Sequence, residues 1–135
     1  MATDDPTVLA PERCLHLLRS HPVPVGRLGV TDGDGQPLIV PVNYLLDGDA
    51  VVIRADPDSL VGRRALERPV AFEVDDVDAA WLAGWSVLIE GTARRVSDVV
   101  ELARFRRLRL QPWASGRRCL YLRIDPERVT GRQLC

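Results

Sequence analysis

Three β-branched runs lie within thirty-three residues of one another, separated by turns too short to hold a helix. VPVGRLGV (residues 23–30) leads into TDGDGQP, PLIVPVNYLL (37–46) is closed by DGD, and AVVIRA (50–55) follows at once. Such connections join antiparallel neighbours, because a parallel pair needs a crossover of a dozen residues or more. This part of the chain therefore reads as an antiparallel meander. Pro41 cannot donate to a ladder, which places its strand at an edge or puts a bulge there.

Further strands follow at close spacing. PVAFEVDD (69–76) alternates so that Val70, Phe72 and Val74 share one face. GWSVLIEGTARRV (84–96) is long, with Gly91 marking a bend or bulge. RRCLYLRID (117–125) is another strand, and PERVTGRQLC pairs briefly at the end. Three short helices interrupt them. PERCLHLLRS (11–20) has proline in its first turn and an apolar face of Cys14, Leu15, Leu17 and Leu18. SLVGRRALE (59–67) is capped by Ser59 or Asp58. SDVVELARFRRLRL (97–110) buries a face containing positions 99, 102, 103 and 105. The pattern predicts a mainly β fold: about six antiparallel strands in a small closed or nearly closed barrel with short helices, as one domain over residues 1–135.

All 18 basic residues are arginine. Without lysine there is no Walker-type phosphate loop and no Schiff-base chemistry. A side chain that holds an anion here is an arginine, which is always charged and can bind two oxygens at once. The net charge of −1 gives no general attraction to nucleic acid or to a membrane surface. The basic run ARFRRLRL (103–110) reads as the solvated side of an amphipathic helix. Cys14, Cys119 and Cys135 are widely spaced, and His16 and His21 have no carboxylate motif beside them, so no metal site is expected. The first residues show no basic-then-apolar signal pattern, and a reduced cytoplasm is the expected location. Asp75, Asp76 and Asp78 read as a solvated strand end rather than as catalytic carboxylates. Trp81, Trp85 and Trp113 lie in or beside loops, where a flat aromatic can pack structurally or line a ligand pocket.

One stretch raises a sharper question. IRADPDSLVGRR (53–64) carries an arginine at a strand end, a polar loop and a helix start. That arrangement presents a cation, a hydroxyl and N–H groups to a phosphate. Two aspartates stand inside it, and a plain strand-to-helix connection remains the alternative.

The order of GRLGV, PLIVPVNY, DG, VVIRADPDSLVG, PVAFEVDDVD and GWSVLIEGTARRV resembles the pyridoxamine 5′-phosphate oxidase-like family, the FMN-binding split barrels. The likeness runs from about Val25 to Val96 and more weakly to the end. It implies a six-stranded antiparallel Greek-key split barrel, a homodimer with FMN in a groove shared by both chains. It implies that Pro41, Val42 and Asn43 face the flavin ring. Arg54, Ala55 and Ser59 would hold the phosphate, and Trp85 and Ser86 would reach the cofactor from their strand. Trp113 would approach from the partner chain.

One departure stands out. Leu60 occupies the place of a phosphate-binding lysine, and losing that charge costs roughly 1–4 kcal/mol at short range. Arg63 or Arg64, a turn further on, is the candidate replacement. A branch linked to nitroimidazole resistance has a histidine near the position of Arg54, and the arginine here argues against that haem- or histidine-dependent variant. The expected function is FMN binding with oxidoreductase activity on a small organic substrate. The alternatives are a degenerate barrel that binds a ligand without turnover, or none, and a reductase using the deazaflavin F420, with Arg63, Arg64 and Arg68 as its basic channel.

Overall fold

A computed structural model describes residues 7–108 and 120–134. Its elements run α1 (Pro11–Ser20), β1 (Val25–Thr31), β2 (Pro37–Asp47), β3 (Ala50–Ala55), α2 (Leu60–Ala65), β4 (Arg68–Asp78), β5 (Ala83–Arg95), α3 (Val99–Arg107), β6 (Leu120–Ile124) and β7 (Arg128–Leu134). The sheet order is β4-β1-β2-β3-β6-β5, and β4 pairs again with β5, so six antiparallel strands close a barrel. The first four strands lie in the order 4-1-2-3, which is the Greek key.

The expected elements form where turn chemistry isolates them, with α1 and β3 at the expected bounds. Val70, Phe72 and Val74 do share the inner face of β4. The brief terminal pairing is instead a full strand, with β7 bonded to β5 from Gly84 to Glu90. On the same edge β6 takes over from Ala93 to Arg95. Gly91 sits at this exchange, where a Cβ would collide with the carbonyl oxygen of Asp125. The β4 ladder passes Gly91 without a break, so the glycine serves a close strand crossing rather than a bulge. α2 is shorter than expected: Glu67 adopts φ +59°, left-handed backbone that no α-helix continues through.

The core fills the barrel with Leu28, Val51, Ile53, Phe72, Ile89, Leu122 and Ile124, all fully buried. α1 closes one end. The Tyr44 hydroxyl donates to Leu18 O at 2.8 Å, and burial raises its pKa to about 12. α3 covers the outer surface of β3 and β6, where Phe105 and Leu102 pack on Val52 and Tyr121. That packing sets the phase of the helix and overturns one expectation. Val99 lies well round the helix from Phe105 and is 80% exposed, as is Val100 at 77%. None of the described helices is long and apolar enough to cross a membrane.

The outer face of β2, β1 and β4 is uncovered by any helix among the described residues. It carries Ile39, 76% exposed, and a charged cluster one row further along. Arg27 Nη1 lies 3.7 Å from Glu73 Oε1 and 3.5 Å from Asp75 Oδ2. Glu73 and Asp75 are two residues apart on one strand, so their carboxyls face the same way. Partial burial pushes the Glu73 pKa from 4.5 to about 7, and its hydrogen bond to Asp75 and that neighbour's charge add to the rise, against the pull of Arg27. Between those values the folded chain holds a proton that the unfolded chain releases, so stability falls as pH rises through this window. Glu73→Gln is expected to unfold at higher urea than the parent at about pH 8, with the difference vanishing near pH 4. A difference that stays constant with pH would show that Glu73 does not titrate there.

Candidate functional site

β2 pairs with β1 along Pro37–Asn43 but with β3 only from Tyr44 to Asp47. Over residues 40–43 its second edge faces a slot. The β1 ladder runs unbroken through Pro41, so the proline marks an open edge and not a bulge. One wall is Val40, Pro41, Val42 and Asn43; the other is Arg54, Ala55 and Asp56 with Ser59, Leu60 and Val61 of the loop and helix start. The slot holds about 150 Å³ and is mostly apolar.

The loop between β3 and α2 is braced by its own polar groups. Asp56 Oδ1 accepts from Asp58 N–H at 2.8 Å. The Asp56 carbonyl accepts both the Ser59 N–H, at 3.0 Å, and the Ser59 hydroxyl, at 2.6 Å. Ser59 Oγ in turn accepts from Gly62 N–H at 3.2 Å, the N-cap bond of α2. The serine proton is thus directed at the backbone, and it must turn to reach an anion in the slot. Gly62 lets the loop fold back onto the helix, since a Cβ there would strike Asp56 O and Pro57. The Asp56 carboxylate braces the loop, which accounts for an acidic residue in a stretch otherwise suited to an anion.

Six of the sequence-predicted residues come together here: Pro41, Val42, Asn43, Arg54, Ala55 and Ser59. Leu60 lines the slot at the place marked by the missing lysine. The other predicted residues lie elsewhere. Trp85 packs edge-on against His21, with ring centroids 5.4 Å apart, beside α1 and β7. Ser86 is the ladder partner of Asp75 and of Arg132. Arg63 is exposed on α2 and outside the slot lining. Arg64 is engaged with Asp32 at 3.7 Å, and Arg68 does not line the slot either. Trp113 falls outside the described residues. Sequence reasoning missed Val40 and Val61. Val40 carried a signal, since it precedes Val42 by two positions and shares its side of β2.

This geometry suits a flat apolar group with an anionic tail. The apolar walls would flank the ring, and Arg54, on the β3 wall, would take the anion with charge-assisted bonds. Only Arg54 and Asp56 of the lining residues ionise, so the slot offers little acid–base chemistry of its own. No three His, Cys, Asp or Glu side chains among the described residues gather as a metal site.

The chain is similar to several known proteins. The family model for pyridoxamine 5′-phosphate oxidase matches residues 10–133. The uncharacterized protein Rv0080 of Mycobacterium tuberculosis is 37% identical over 107 residues, covering 70% of this chain and 65% of the relative. An FAD binding protein from Mycobacterium smegmatis superposes with a TM-score of 0.82 at 34% identity, covering 95% of this chain and 98% of the other. An FAD-binding protein from Mesorhizobium loti shares the fold at 22% identity, with a TM-score of 0.73 and 95% and 96% of the two chains covered. The closed Greek-key barrel with its slot at the β2–β3 divergence, and a family match spanning nearly the whole sequence, establish that this chain belongs to the pyridoxamine 5′-phosphate oxidase family.

Proposed function

We propose that the chain binds a flavin nucleotide in the slot between β2 and α2, and that two copies together complete each site. The observation that carries this reading is the pairing of an apolar slot with Arg54 on its β3 wall. The relative named as FAD binding, at 34% identity, supports the same ligand class. Slot size supports the second copy. Ligand pockets usually hold about 300–1,000 Å³, and this one holds about 150 Å³. A flavin seated there keeps one face in water unless another surface covers it. The uncovered face with exposed Ile39 lies beside the slot on β2 and offers that surface an apolar landing.

A bound flavin supplies hydride or electron transfer; the protein holds, orients and tunes it. Val40, Pro41, Val42, Ala55, Leu60 and Val61 would exclude water from the ring, and Arg54 would fix the phosphate end. Leu60 bears on which flavin fits. The monoester phosphate of FMN carries close to two negative charges at neutral pH, like other phosphomonoesters. Each phosphate of the FAD pyrophosphate, with one ester and one anhydride link, carries one. A slot with one arginine and a leucine in the lysine position suits the lower charge density, which favours FAD. The acceptor is a small organic molecule, and the proton that follows the hydride comes from solvent, because no histidine, cysteine or glutamate lines the slot among the described residues.

Titration of the purified protein with FAD, FMN, riboflavin and F420, followed by flavin fluorescence, tests this directly. The expected order is FAD above FMN, both well above riboflavin. Arg54→Ala should weaken both nucleotides at least tenfold and leave riboflavin unchanged. Equal binding of riboflavin and the nucleotides would remove the phosphate contact. Leu60→Lys should raise FMN affinity about tenfold and FAD affinity less. An FMN affinity that ignores the new lysine would move the phosphate away from α2.

A further inference from the structure

α1 packs against β7, and the two surfaces come closest at Gly131. A Cβ at that glycine would lie 2.5 Å from Cys14 Sγ, and Leu9 N–H donates to Gly131 O at 3.0 Å. Two positions further along β7 the contact opens. Gln133 stands on the same side of the strand as Gly131, and its ladder partner on β5 is Trp85, so both side chains face α1. On the helix, Arg13 and Leu17 are one turn apart and share a side. These four residues, with Leu9 and Gly84, line a cavity of about 210 Å³. Leu9, Leu17 and Trp85 are half-buried and pack on the barrel core. His21, at the C-cap of α1, holds the Trp85 ring edge-on.

The polar groups of this cavity are all of one kind. Its lining carries three side-chain donors: the Arg13 guanidinium, the Trp85 indole N–H and the Gln133 amide. Among the described residues none of the three side chains is in a hydrogen bond or ion pair, and no carboxylate lines the cavity. Arg13 also stands in the first turn of α1, where the helix dipole disfavours a cation. An anion from outside the chain would offset both deficits.

We propose that this cavity is a second ligand site, separate from the slot, and that it takes a small planar organic carboxylate. The Arg13 guanidinium binds both carboxylate oxygens at once. Leu9 and Leu17 cover the apolar body, and Trp85 offers its ring to a flat one. The Gln133 amide and the indole N–H supply further donors that fix its orientation. Size limits the occupant. Pockets for drug-sized ligands usually hold about 300–1,000 Å³, and this one, at about 210 Å³, suits an acid with a single ring rather than a nucleotide. None of its six lining residues lines the slot, which is built from β2, β3 and α2, so the inference depends neither on a flavin nor on a second copy.

Calorimetric titration of the full chain with benzoate, and with benzamide as an uncharged analogue of the same shape, tests the site. Benzoate should bind saturably in the millimolar range or tighter, and benzamide at least tenfold more weakly. Arg13→Gln, a change at an exposed position, should weaken benzoate at least tenfold while the ligand-free circular-dichroism melt stays that of the parent. The Trp85 indole N–H signal, identified by its loss in Trp85→Phe, should shift in proton–nitrogen NMR spectra as benzoate saturates. An absence of saturable benzoate binding, equal binding of benzamide, or binding indifferent to Arg13→Gln would overturn the proposal. Benzoate displaced by saturating FAD would overturn it too, because the cavity would then belong to the flavin site. A chain that takes benzoate in this way but no flavin would uphold this site and count against the slot alone.

Discussion

Pro41 has no N–H to give, and a strand that carries it cannot be bonded fully on both edges. β2 keeps its whole ladder with β1 and gives up β3 before Tyr44. Everything that makes a ligand site possible follows from that divergence. The barrel opens along residues 40–43, the turn after β3 swings across the gap, and Arg54 is left on the wall of the opening. Elsewhere the closure is complete, because β6 fills the place between β3 and β5. The site is therefore an interruption of hydrogen bonding in an otherwise closed sheet. It needs no flexible lid, since its second wall is a loop held by its own Asp56 and Ser59 bonds.

Much of this architecture was legible because turn residues isolate the early strands. DGD and TDGDGQP allow one topology only, and alternation on β4 identifies its buried face without ambiguity. Six of the residues nominated by the resemblance line one slot. What stayed hidden depended on phase or on distance. Four apolar positions were assigned to one face of α3, but only the packing of Phe105 on Tyr121 decides which side of the helix is inward. The pairing of β7 was underestimated because RVTGRQL has few apolar residues; its strand character comes from the edge that β5 offers it.

Glu73 illustrates the same limit. FEVDD drew attention to the aspartates as a solvated strand end, yet the unusual carboxyl is the glutamate two positions earlier. Its state depends on Arg27, far away in sequence, and on how much of the face is dry. No local pattern encodes that. Trp85 is the converse case: its strand position suggested a ligand contact, while within one chain its ring rests against His21.

These features meet on one surface. The slot is too small to enclose a flavin ring, the face beside it exposes Ile39, and the same face holds a carboxyl pair that keeps a proton near neutrality. Covering that face would remove Glu73 further from water and raise its pKa again, because desolvation is already the largest cause of its shift. Under the proposed pairing of two copies, association and proton uptake would be linked: a second copy on this face would favour the protonated pair. The Greek key, by leaving β2, β1 and β4 without a helix among the described residues, thus brings the slot and one titrating carboxyl to the same side of the barrel.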